Sequence, residues 1–315
     1  MNRYAEEARK AVRETYQDMY NLVRDVEVFK QPQVSWSTST GVVSLDAALG
    51  GKLPSGAIEI YGESSSGKTT LLYEIIATAQ KSGSLVALCP SEYVDLKYMR
   101  VFGVDLDSLL LITGNHGEGV LHGALDFIKD HRDIPVLVAF DSATGIRPAD
   151  DQPGQWLAMV SSFLDSGLDC LSPVSAIVMV NQVRMKRSVV PGKFFVDGTV
   201  SSTARKVVDQ FSTRLELRRG EEKPYGYTML VDIVANIASK PSTMLELPVR
   251  IGMGVDTMRD LLTYSVEIGV TTQEFSWLTV GDEYRLGPGM NAAVTQIEEA
   301  PEIARYLLDR VMTRA

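Results

Sequence analysis

The strongest signal in the sequence is the stretch Gly62-Glu63-Ser64-Ser65-Ser66-Gly67-Lys68-Thr69, which lies between the apolar run at 57–61 and a second apolar-rich run that begins at Thr70. Two glycines separated by four residues and followed by Lys and Thr match the phosphate-loop pattern, in the strand–loop–helix context that this pattern requires. Such glycines let backbone N–H groups turn inward on an anion, and the helix N-terminus adds a positive dipole. A serine-rich turn before an ordinary helix is the alternative. The agreement of all these features predicts that the stretch binds a nucleoside triphosphate.

The ends of two further apolar runs predict the rest of a nucleotide site. Residues 135–140 lead into Asp141, a carboxylate that would hold Mg²⁺ beside Thr69 while Lys68 reaches the outer phosphates. Residues 85–90 lead towards Glu92, which would polarise the water that attacks the γ-phosphate of ATP. A solvated acidic residue in a loop is the alternative for Glu92. Together these residues predict a site for ATP and Mg²⁺.

The composition limits the class of protein. With 315 residues, of which 45% are hydrophobic and 23% charged, the chain suits one large α/β domain with a smaller part, or two modest domains. A net charge of −9 argues against a surface that is basic throughout, although a local basic stripe is enough to bind nucleic acid. The two cysteines, the three histidines and the lack of a signal or membrane-spanning run predict a cytoplasmic protein with no membrane partner and no histidine-built zinc site.

Apolar strand-like runs alternate with helical patterns through the middle of the chain. The predicted strands are 58–61, 85–89, 109–112, 136–140, 176–180 and 213–217, and residues 227–234 are expected to extend the same sheet. Near-continuous apolar strands separated by helices indicate a mostly parallel sheet with helices on both faces. We therefore predict a doubly wound α/β fold, with the ligand site at the carboxyl ends of the strands.

The two ends of the chain differ from this central pattern. Residues 1–25 are predicted to form an amphipathic helix, which would either cap its own domain or dock as an arm on a neighbouring subunit. Its apolar residues at helical spacing are Ala8, Val12, Tyr16, Met19 and Val23. We predict three parts: an N-terminal helix and linker at 1–35, an ATPase core at 36–254 and a small C-terminal α/β domain at 255–315.

A basic segment follows the predicted strand at 176–180. Between Gln182 and Lys206 there are six basic residues and one acid, on a stretch that has no clear period and that we expect to be a flexible loop. The basic residues and an adjacent aromatic pair are Arg184, Lys186, Arg187, Lys193, Phe194, Phe195, Arg205 and Lys206. Cations for phosphates and rings for bases are what single-stranded DNA requires. A solvated surface loop whose phenylalanines pack locally is the alternative.

Several segments, in order along the chain, resemble RecA-type recombinases. They are Thr40-Gly41-Val42-Val43-Ser44-Leu45-Asp46, Leu53-Pro54-Ser55-Gly56, the phosphate loop, Glu92, Tyr98, Gly103-Val104-Asp105, Asp141-Ser142 and Val180-Asn181-Gln182-Val183-Arg184-Met185-Lys186. The last segment is the most specific, and the resemblance covers nearly the whole chain. It implies a RecA-like P-loop ATPase core with an N-terminal helical arm and a small C-terminal α/β lobe.

The resemblance implies roles for individual residues at the nucleotide. Glu92 would be the catalytic carboxylate that activates water. Tyr98 would stack on adenine, with Thr70 beside the base, and Asp95 would contact the adenine edge. Gln182 would sense the γ-phosphate and pass its state to the basic segment that follows it.

The resemblance also implies contacts with DNA and with a neighbouring subunit. A first DNA-binding loop would correspond to residues 147–156, where Trp156 is either a stacking ring or a buried residue at the start of a helix. The family carries two lysines that reach into the neighbour's ATP, whereas residues 234–241 of this chain retain only Lys240. Ser201-Ser202 also stands where a glycine pair is expected. We interpret these departures as those of a diverged member, with a phage or other mobile element as a candidate source.

The implied function is ATP-dependent DNA recombination. The chain would form a helical filament, a homo-oligomer, on single-stranded DNA, pair it with homologous duplex DNA and exchange strands, with DNA-stimulated ATP hydrolysis. Two alternatives use the same core. One is an ATP-binding recombination mediator or regulatory paralogue, which the missing lysine pair favours, and the other is a hexameric helicase-type motor.

Overall fold

A computed structural model describes residues 35, 37–150, 152–190, 193–201, 205–239, 243–281 and 283–314. The predicted N-terminal helix and Lys240 lie outside these residues. The helices are α1 Val43–Leu49, α2 Lys68–Lys81, α3 Leu96–Val101, α4 Gly117–Asp130, α5 Gln155–Cys170, α6 Arg205–Val208, α7 Thr257–Glu267, α8 Gly289–Glu299 and α9 Pro301–Arg314. The strands are β1 Gly56–Gly62, β2 Leu85–Pro90, β3 Leu109–Leu111, β4 Val136–Asp141, β5 Ala176–Val190, β6 Lys193–Ser201, β7 Thr213–Lys223, β8 Gly226–Asn236, β9 Thr243–Arg250, β10 Gly254–Val255, β11 Thr271–Glu274, β12 Trp277–Val280 and β13 Tyr284–Pro288.

One large sheet organises the fold, in the order β10-β9-β8-β7-β1-β5-β4-β2-β3. The strands from β7 to β3 are parallel, and β8, β9 and β10 add to β7 as antiparallel strands. Each predicted strand of the middle of the chain is present, and residues 227–234 extend the same sheet as expected. The prediction of a doubly wound, mostly parallel α/β fold is therefore confirmed.

The first strand is buried on both of its faces. Ile58 and Ile60 belong to one hydrophobic cluster, which includes the inner side of α2, whereas Ala57 belongs to a second cluster, which includes α4 and α5. Alternate residues of a strand point to opposite faces of a sheet, so β1 is apolar from Ala57 to Tyr61, apart from the buried Glu59, because neither face meets water. This central position fixes the end of β1, where the phosphate loop begins.

The residues after Thr257 surround a third hydrophobic cluster. Strands β11, β12 and β13 form an antiparallel three-stranded sheet, and helices α7, α8 and α9 pack against it. Asp260 of α7 accepts hydrogen bonds from the Ser44 backbone N at 3.0 Å and from its hydroxyl at 2.5 Å, at the N-terminus of α1. The carboxylate therefore joins this part to the first helix of the core. Within the described residues, no helix is both long and apolar enough to cross a membrane.

The basic segment differs from its prediction as an irregular, flexible loop. Strand β5 continues past residue 180 to Val190, and β6 returns beside it as an antiparallel hairpin. Val189 pairs with Phe194, and Val190 pairs with Lys193 across residues 191–192. The physical reason lies in the composition of its two sides, because β-branched and aromatic residues favour strands. Pro191 and Gly192, which suggested a loop, lie outside the described residues.

Candidate functional site

Two tight backbone positions shape the phosphate loop. Gly67 precedes α2 with a φ of 98°, a conformation that side-chained residues rarely adopt, and a Cβ on Gly67 would meet the terminal methyl group of Met229. A Cβ on Gly62 would meet the carbonyl oxygen of Leu217 on β7. Glycine is therefore needed at both ends of the loop because residues of β7 and β8 lie directly against it.

The side chain of Lys68 folds back over the phosphate loop. Its Nζ atom donates a hydrogen bond to the carbonyl oxygen of Glu63 at 2.5 Å, and its side chain is buried. Burial lowers the pKa of Lys68, while the negative charges of Asp141, Glu63 and Glu92 oppose this shift. A cation held in this way is short of water and is placed to interact with an anion in the loop.

The predicted magnesium ligands lie together. The hydroxyl of Thr69 donates a hydrogen bond to Oδ2 of Asp141 at 2.9 Å, which joins the start of α2 to the end of β4. Burial raises the pKa of Asp141, and the charge of Glu92 adds to this rise, whereas the Thr69 hydrogen bond and Lys68 oppose it. A hydroxyl and a carboxylate at this separation are oxygen donors of the kind that Mg²⁺ prefers.

Glu92 follows the end of β2, the neighbour of β4. Pro90 of β2 pairs with Asp141, and the Ser91 backbone N donates to the Asp141 carbonyl oxygen at 2.8 Å. The Ser91 hydroxyl accepts a hydrogen bond from the Ser142 backbone N at 2.9 Å. The exposed Glu92 carboxylate acts electrostatically on both Lys68 and Asp141. Ser91, which the sequence did not single out, thus holds the segment that carries the predicted catalytic acid against the segment that carries Asp141.

Tyr98 of α3 contacts the first turn of α2. Its hydroxyl and that of Thr70 are 3.1 Å apart in a hydrogen bond, and its ring packs edge-on against Phe102 with centroids 4.9 Å apart. Asp95 caps helix α3, because Oδ1 accepts from the backbone N of Lys97 at 2.9 Å and of Tyr98 at 3.1 Å. The Asp95 carboxylate therefore positions Tyr98, and its predicted contact with the adenine edge remains a prediction.

A cavity of about 320 Å³ connects the loop to Tyr98. Its wall includes residues that the sequence did not predict, namely Arg219, Tyr227, Val249, Arg250, Ile251 and Gly252. They come from the antiparallel strands β7, β8 and β9 and from the turn after β9. The glycine pair Gly252 and Gly254 at a strand end was the one local hint that this turn approaches a ligand.

Gln182 lies beside the phosphate loop. It is the register partner of Gly62 across the parallel strands β5 and β1, and its side chain is exposed. The preceding residue, Asn181, donates a hydrogen bond to the buried carboxylate of Glu59 at 2.8 Å, and Arg214 of β7 contacts the same carboxylate at 2.7 Å. Side chains of β1, β5 and β7 are thus tied together directly below the loop.

The predicted DNA-binding residues of the basic segment fall on both strands of the hairpin. Arg184, Lys186 and Arg187 lie on β5 opposite Val200, Asp197 and Val196 of β6. Lys193, Phe194 and Phe195 begin β6, and Arg205 is the first residue of α6. The backbone therefore gathers all but Arg205 and Lys206 into one two-stranded ribbon that starts beside the phosphate loop.

Trp156 packs at the start of α5. Its indole N–H donates to the carbonyl oxygen of Ala143 at 3.1 Å, and its half-buried ring contacts the second hydrophobic cluster. This is one of the two arrangements that the sequence left open. Contact of this ring with DNA remains a prediction.

The phosphate loop at a buried strand end, the paired Thr69 and Asp141, and a carboxylate after the neighbouring strand define a P-loop ATPase of α/β fold. A family model described as the RecA N-terminal domain matches residues 24–256. The protein RecA of Methylobacterium sp. (strain 4-46) is 35% identical over 283 residues, which cover 84% of this chain and 76% of the relative.

Two further relatives, both also called protein RecA, show a similar match. That of Bdellovibrio bacteriovorus is 32% identical over 309 residues, covering 93% of this chain and 78% of the relative. That of Brucella suis is 34% identical over 288 residues, covering 86% and 78%. The chain belongs to the RecA family of ATP-dependent DNA recombinases. The resemblance found in the sequence is therefore confirmed.

Proposed function

We propose that the cavity beside the phosphate loop binds ATP with Mg²⁺ and that this chain's own residues carry out its hydrolysis. The residues fit these groups. Thr69 and Asp141, 2.9 Å apart, would hold the cation, and the backbone of the loop with Lys68 would hold the phosphates. Among the described residues, the buried hydroxyl of Ser66 has no hydrogen-bond partner, which makes it available to a phosphate oxygen. The hydrogen bond between Thr69 and Asp141 is the observation that carries this proposal.

Glu92 is proposed as the residue that orients water for attack. Its carboxylate is exposed, whereas Asp141 is partly buried and occupied by Thr69, so the two acids suit different tasks. The charge of the bound Mg²⁺ would offset the negative charge of the phosphates and of Asp141. Glu92 would then accept a hydrogen bond from the water and hold it in line with the phosphorus.

Gln182 is proposed to connect the nucleotide to DNA. It lies level with Gly62, and β5 continues from it without a break into the hairpin that bears the basic residues. An amide that donates to the γ-phosphate makes different contacts with ATP and ADP, and this difference is what shifts an equilibrium between two states of the hairpin. Single-stranded DNA would bind through Arg184, Lys186, Arg187, Lys193, Phe194, Phe195 and Arg205.

The biological function follows as filament formation on single-stranded DNA, homologous pairing with duplex DNA and strand exchange. In this arrangement residues 1–35 would be the polymerisation arm, residues 36–254 the ATPase core, and residues 255–315 a lobe that gathers duplex DNA. Lys240 would be the one retained cation that reaches the neighbouring nucleotide. A regulatory paralogue is the second candidate, because residues 234–241 lack the second lysine of the family's pair.

The decisive experiment measures ATP hydrolysis with and without single-stranded DNA in the wild type, in Lys68→Ala and in Lys129→Ala, a control at an exposed lysine of α4. We expect DNA to stimulate hydrolysis in the wild type and the control, and Lys68→Ala to lose turnover. Normal DNA-stimulated hydrolysis in Lys68→Ala would contradict the proposed site. A wild type that hydrolyses ATP without any DNA stimulation would support the regulatory paralogue, and electron microscopy with ATP and DNA separates a helical filament from a helicase-type ring.

A further inference from the structure

Arg219 enters the wall of the nucleotide cavity from β7. Its guanidinium lies over the ring of Tyr227, 3.8 Å from the ring centroid, and both residues line the cavity together with Gly67 and Lys68. Tyr227 is buried, and a Cβ on Gly67 would lie 3.3 Å from its hydroxyl oxygen. The stacked pair is therefore adjacent to the phosphate loop, and the rigid ring sets the plane of the arginine.

The basic side chains that line the cavity differ in how firmly their partners hold them. Among the described residues there are three, Lys68, Arg219 and Arg250. Lys68 donates to the carbonyl oxygen of Glu63, and Arg250 contacts Asp256 at 2.8 Å and Glu298 at 2.7 Å. The side chain of Asp256 is only 1% exposed, so the Arg250 pair is largely withdrawn from solvent.

Arg219 has a weaker partner. It contacts Glu222 at 2.7 Å, but the Glu222 side chain is 68% exposed and lies three residues along the same chain segment. A surface ion pair of this kind contributes little to stability, because water solvates both charges well when the pair separates. Arg219 can therefore exchange the carboxylate for another anion at little cost.

We infer that Arg219 is an additional nucleotide-binding residue, which contacts the phosphate chain of the nucleotide at its ribose end. The inference rests on the proposed binding of ATP in this cavity. A guanidinium stacked on a ring leaves the N–H groups of its edge exposed to other partners. Those of Arg219 donate to Glu222 in this structure, and they would form short, charge-assisted hydrogen bonds with phosphate oxygens in its place. Arg219 lines the cavity together with Thr70, whose hydroxyl is hydrogen-bonded to Tyr98, the residue proposed to stack on adenine. This location favours the phosphates near the ribose, which ATP and ADP share. The chain itself thus supplies a second cation to its nucleotide, in addition to Lys68.

The neighbouring Arg218 provides a matched control. It lies on the same strand but on the opposite face, where it is exposed and contacts the sulfur of Met244 at 3.9 Å. Arg219→Gln and Arg218→Gln therefore remove the same charge from adjacent positions, one inside the cavity and one outside it. Arg219→Lys keeps the charge but loses the planar, stacked fork.

The experiment measures the dissociation constants of ATP and ADP, each with Mg²⁺, by titration calorimetry in the absence of DNA. We expect Arg219→Gln to weaken both nucleotides by about tenfold, Arg219→Lys to weaken them less, and Arg218→Gln to change them by less than about twofold. Thermal unfolding of the nucleotide-free variants should match that of the wild type, because the lost ion pair is exposed.

Three results would overturn the inference. Unchanged affinities in Arg219→Gln would show that the arginine does not contact the nucleotide, and equal losses in the two variants would show a general charge effect. A loss for ATP alone would place the contact at the γ-phosphate instead of the ribose end. Failure of the wild type to bind ATP would instead contradict the proposed function, so the two failures are distinguishable.

Discussion

Gly62 and Gln182 occupy the same level of two adjacent parallel strands, one at the entrance to the phosphate loop and the other at the root of the basic hairpin. They are 120 positions apart in the sequence and are brought together by the direct pairing of β1 with β5. Neighbouring strands lie about 4.8 Å apart. The Gln182 side chain is therefore close enough to contact a phosphate group bound in the loop. The proposed nucleotide site and the proposed DNA-binding ribbon therefore share one strand, β5.

Replacing Gln182 with Ala should separate nucleotide binding from the response to DNA. The variant removes an exposed amide, so we expect the fold and the affinity for ADP to be retained while stimulation of ATP hydrolysis by single-stranded DNA falls by about tenfold or more. Hydrolysis rates over a DNA titration provide the measurement. Gln273→Ala, which removes an exposed amide from β11, is the control, and full stimulation of Gln182→Ala would refute the proposed switch.

The pair formed by Thr69 and Asp141 should control the Mg²⁺ requirement. Thr69→Ala removes one predicted ligand and leaves the Asp141 carboxylate without its 2.9 Å hydrogen bond, so we expect a higher Mg²⁺ concentration for half-maximal hydrolysis and a rate at least about tenfold lower. Thr295→Ala, at an exposed position on α8, should behave as the wild type. An unchanged Mg²⁺ titration in Thr69→Ala would rule out this ligand.

Gly67 combines an unusual backbone angle with a crowded position, and a second glycine separates these two effects. Gly83 has a similar positive φ of 85°, but nothing lies within 4 Å of a Cβ placed there. Gly83→Ala should cost about 1 kcal/mol of unfolding free energy, from the backbone alone. Gly67→Ala should cost more, because its methyl group meets Met229, and it should also weaken nucleotide binding. Urea unfolding of both variants gives the comparison, and equal costs would contradict the packing argument.

Asp46 should give the protein a distinctive dependence of stability on pH. Burial raises the pKa of Asp46 to about 6, against hydrogen bonds from Ser39 and Thr40 that lower it, and the nearby Asp260 raises it further. The folded state therefore holds this proton more tightly than the unfolded state does. The contribution of Asp46 to the free energy of unfolding should fall as pH rises from about 4 to 6, by roughly 1 to 3 kcal/mol, and stay constant above that range.

The measurement compares urea unfolding of the wild type and Asp46→Asn between pH 4 and 7. The other carboxyl groups titrate in both proteins, so the difference between the two isolates Asp46. We expect the wild type to lose stability relative to the variant as pH rises through this window. A constant difference across the window would show that Asp46 is ionised in the folded protein throughout.

The parts of the site that the sequence predicted are those with a local signal. The phosphate loop is contiguous, and Asp141 ends an apolar run whose length identifies a buried parallel strand. Arg219 and Tyr227 lack such a signal because their strands are antiparallel additions to the sheet, and they reach the loop only through the register of β7 against β1. A charged residue in an alternating strand usually faces solvent, and only the assembled sheet places Arg219 in the cavity beside the phosphate loop.

The hairpin was missed for a different reason. Its basic residues and the Pro191-Gly192 pair suggested an irregular segment, and these signals outweighed the β-branched and aromatic residues on either side. Each strand of the hairpin pairs with the other, as Val189 does with Phe194. Such pairing between strands is not visible in the periodicity of a short stretch of sequence. The sequence predicted which residues form the ribbon but not the shape that presents them.

The buried carboxylate of Glu59 has a mechanical consequence for this ribbon. Its contacts with Asn181 and Arg214 tie β5 to β1 and β7 immediately before Gln182 and oppose sliding of β5 along its neighbours. In the proposed switch, a change at the nucleotide would then act by tilting the strand beyond these contacts. The eight residue-to-residue steps from Gln182 to Val190 span about 26 Å at the usual rise per residue, so a tilt of about 5° at Gln182 would move the tip of the hairpin by about 2 Å. The length of β5 alone would thus amplify a small displacement at Gln182 into a larger one at the tip of the hairpin.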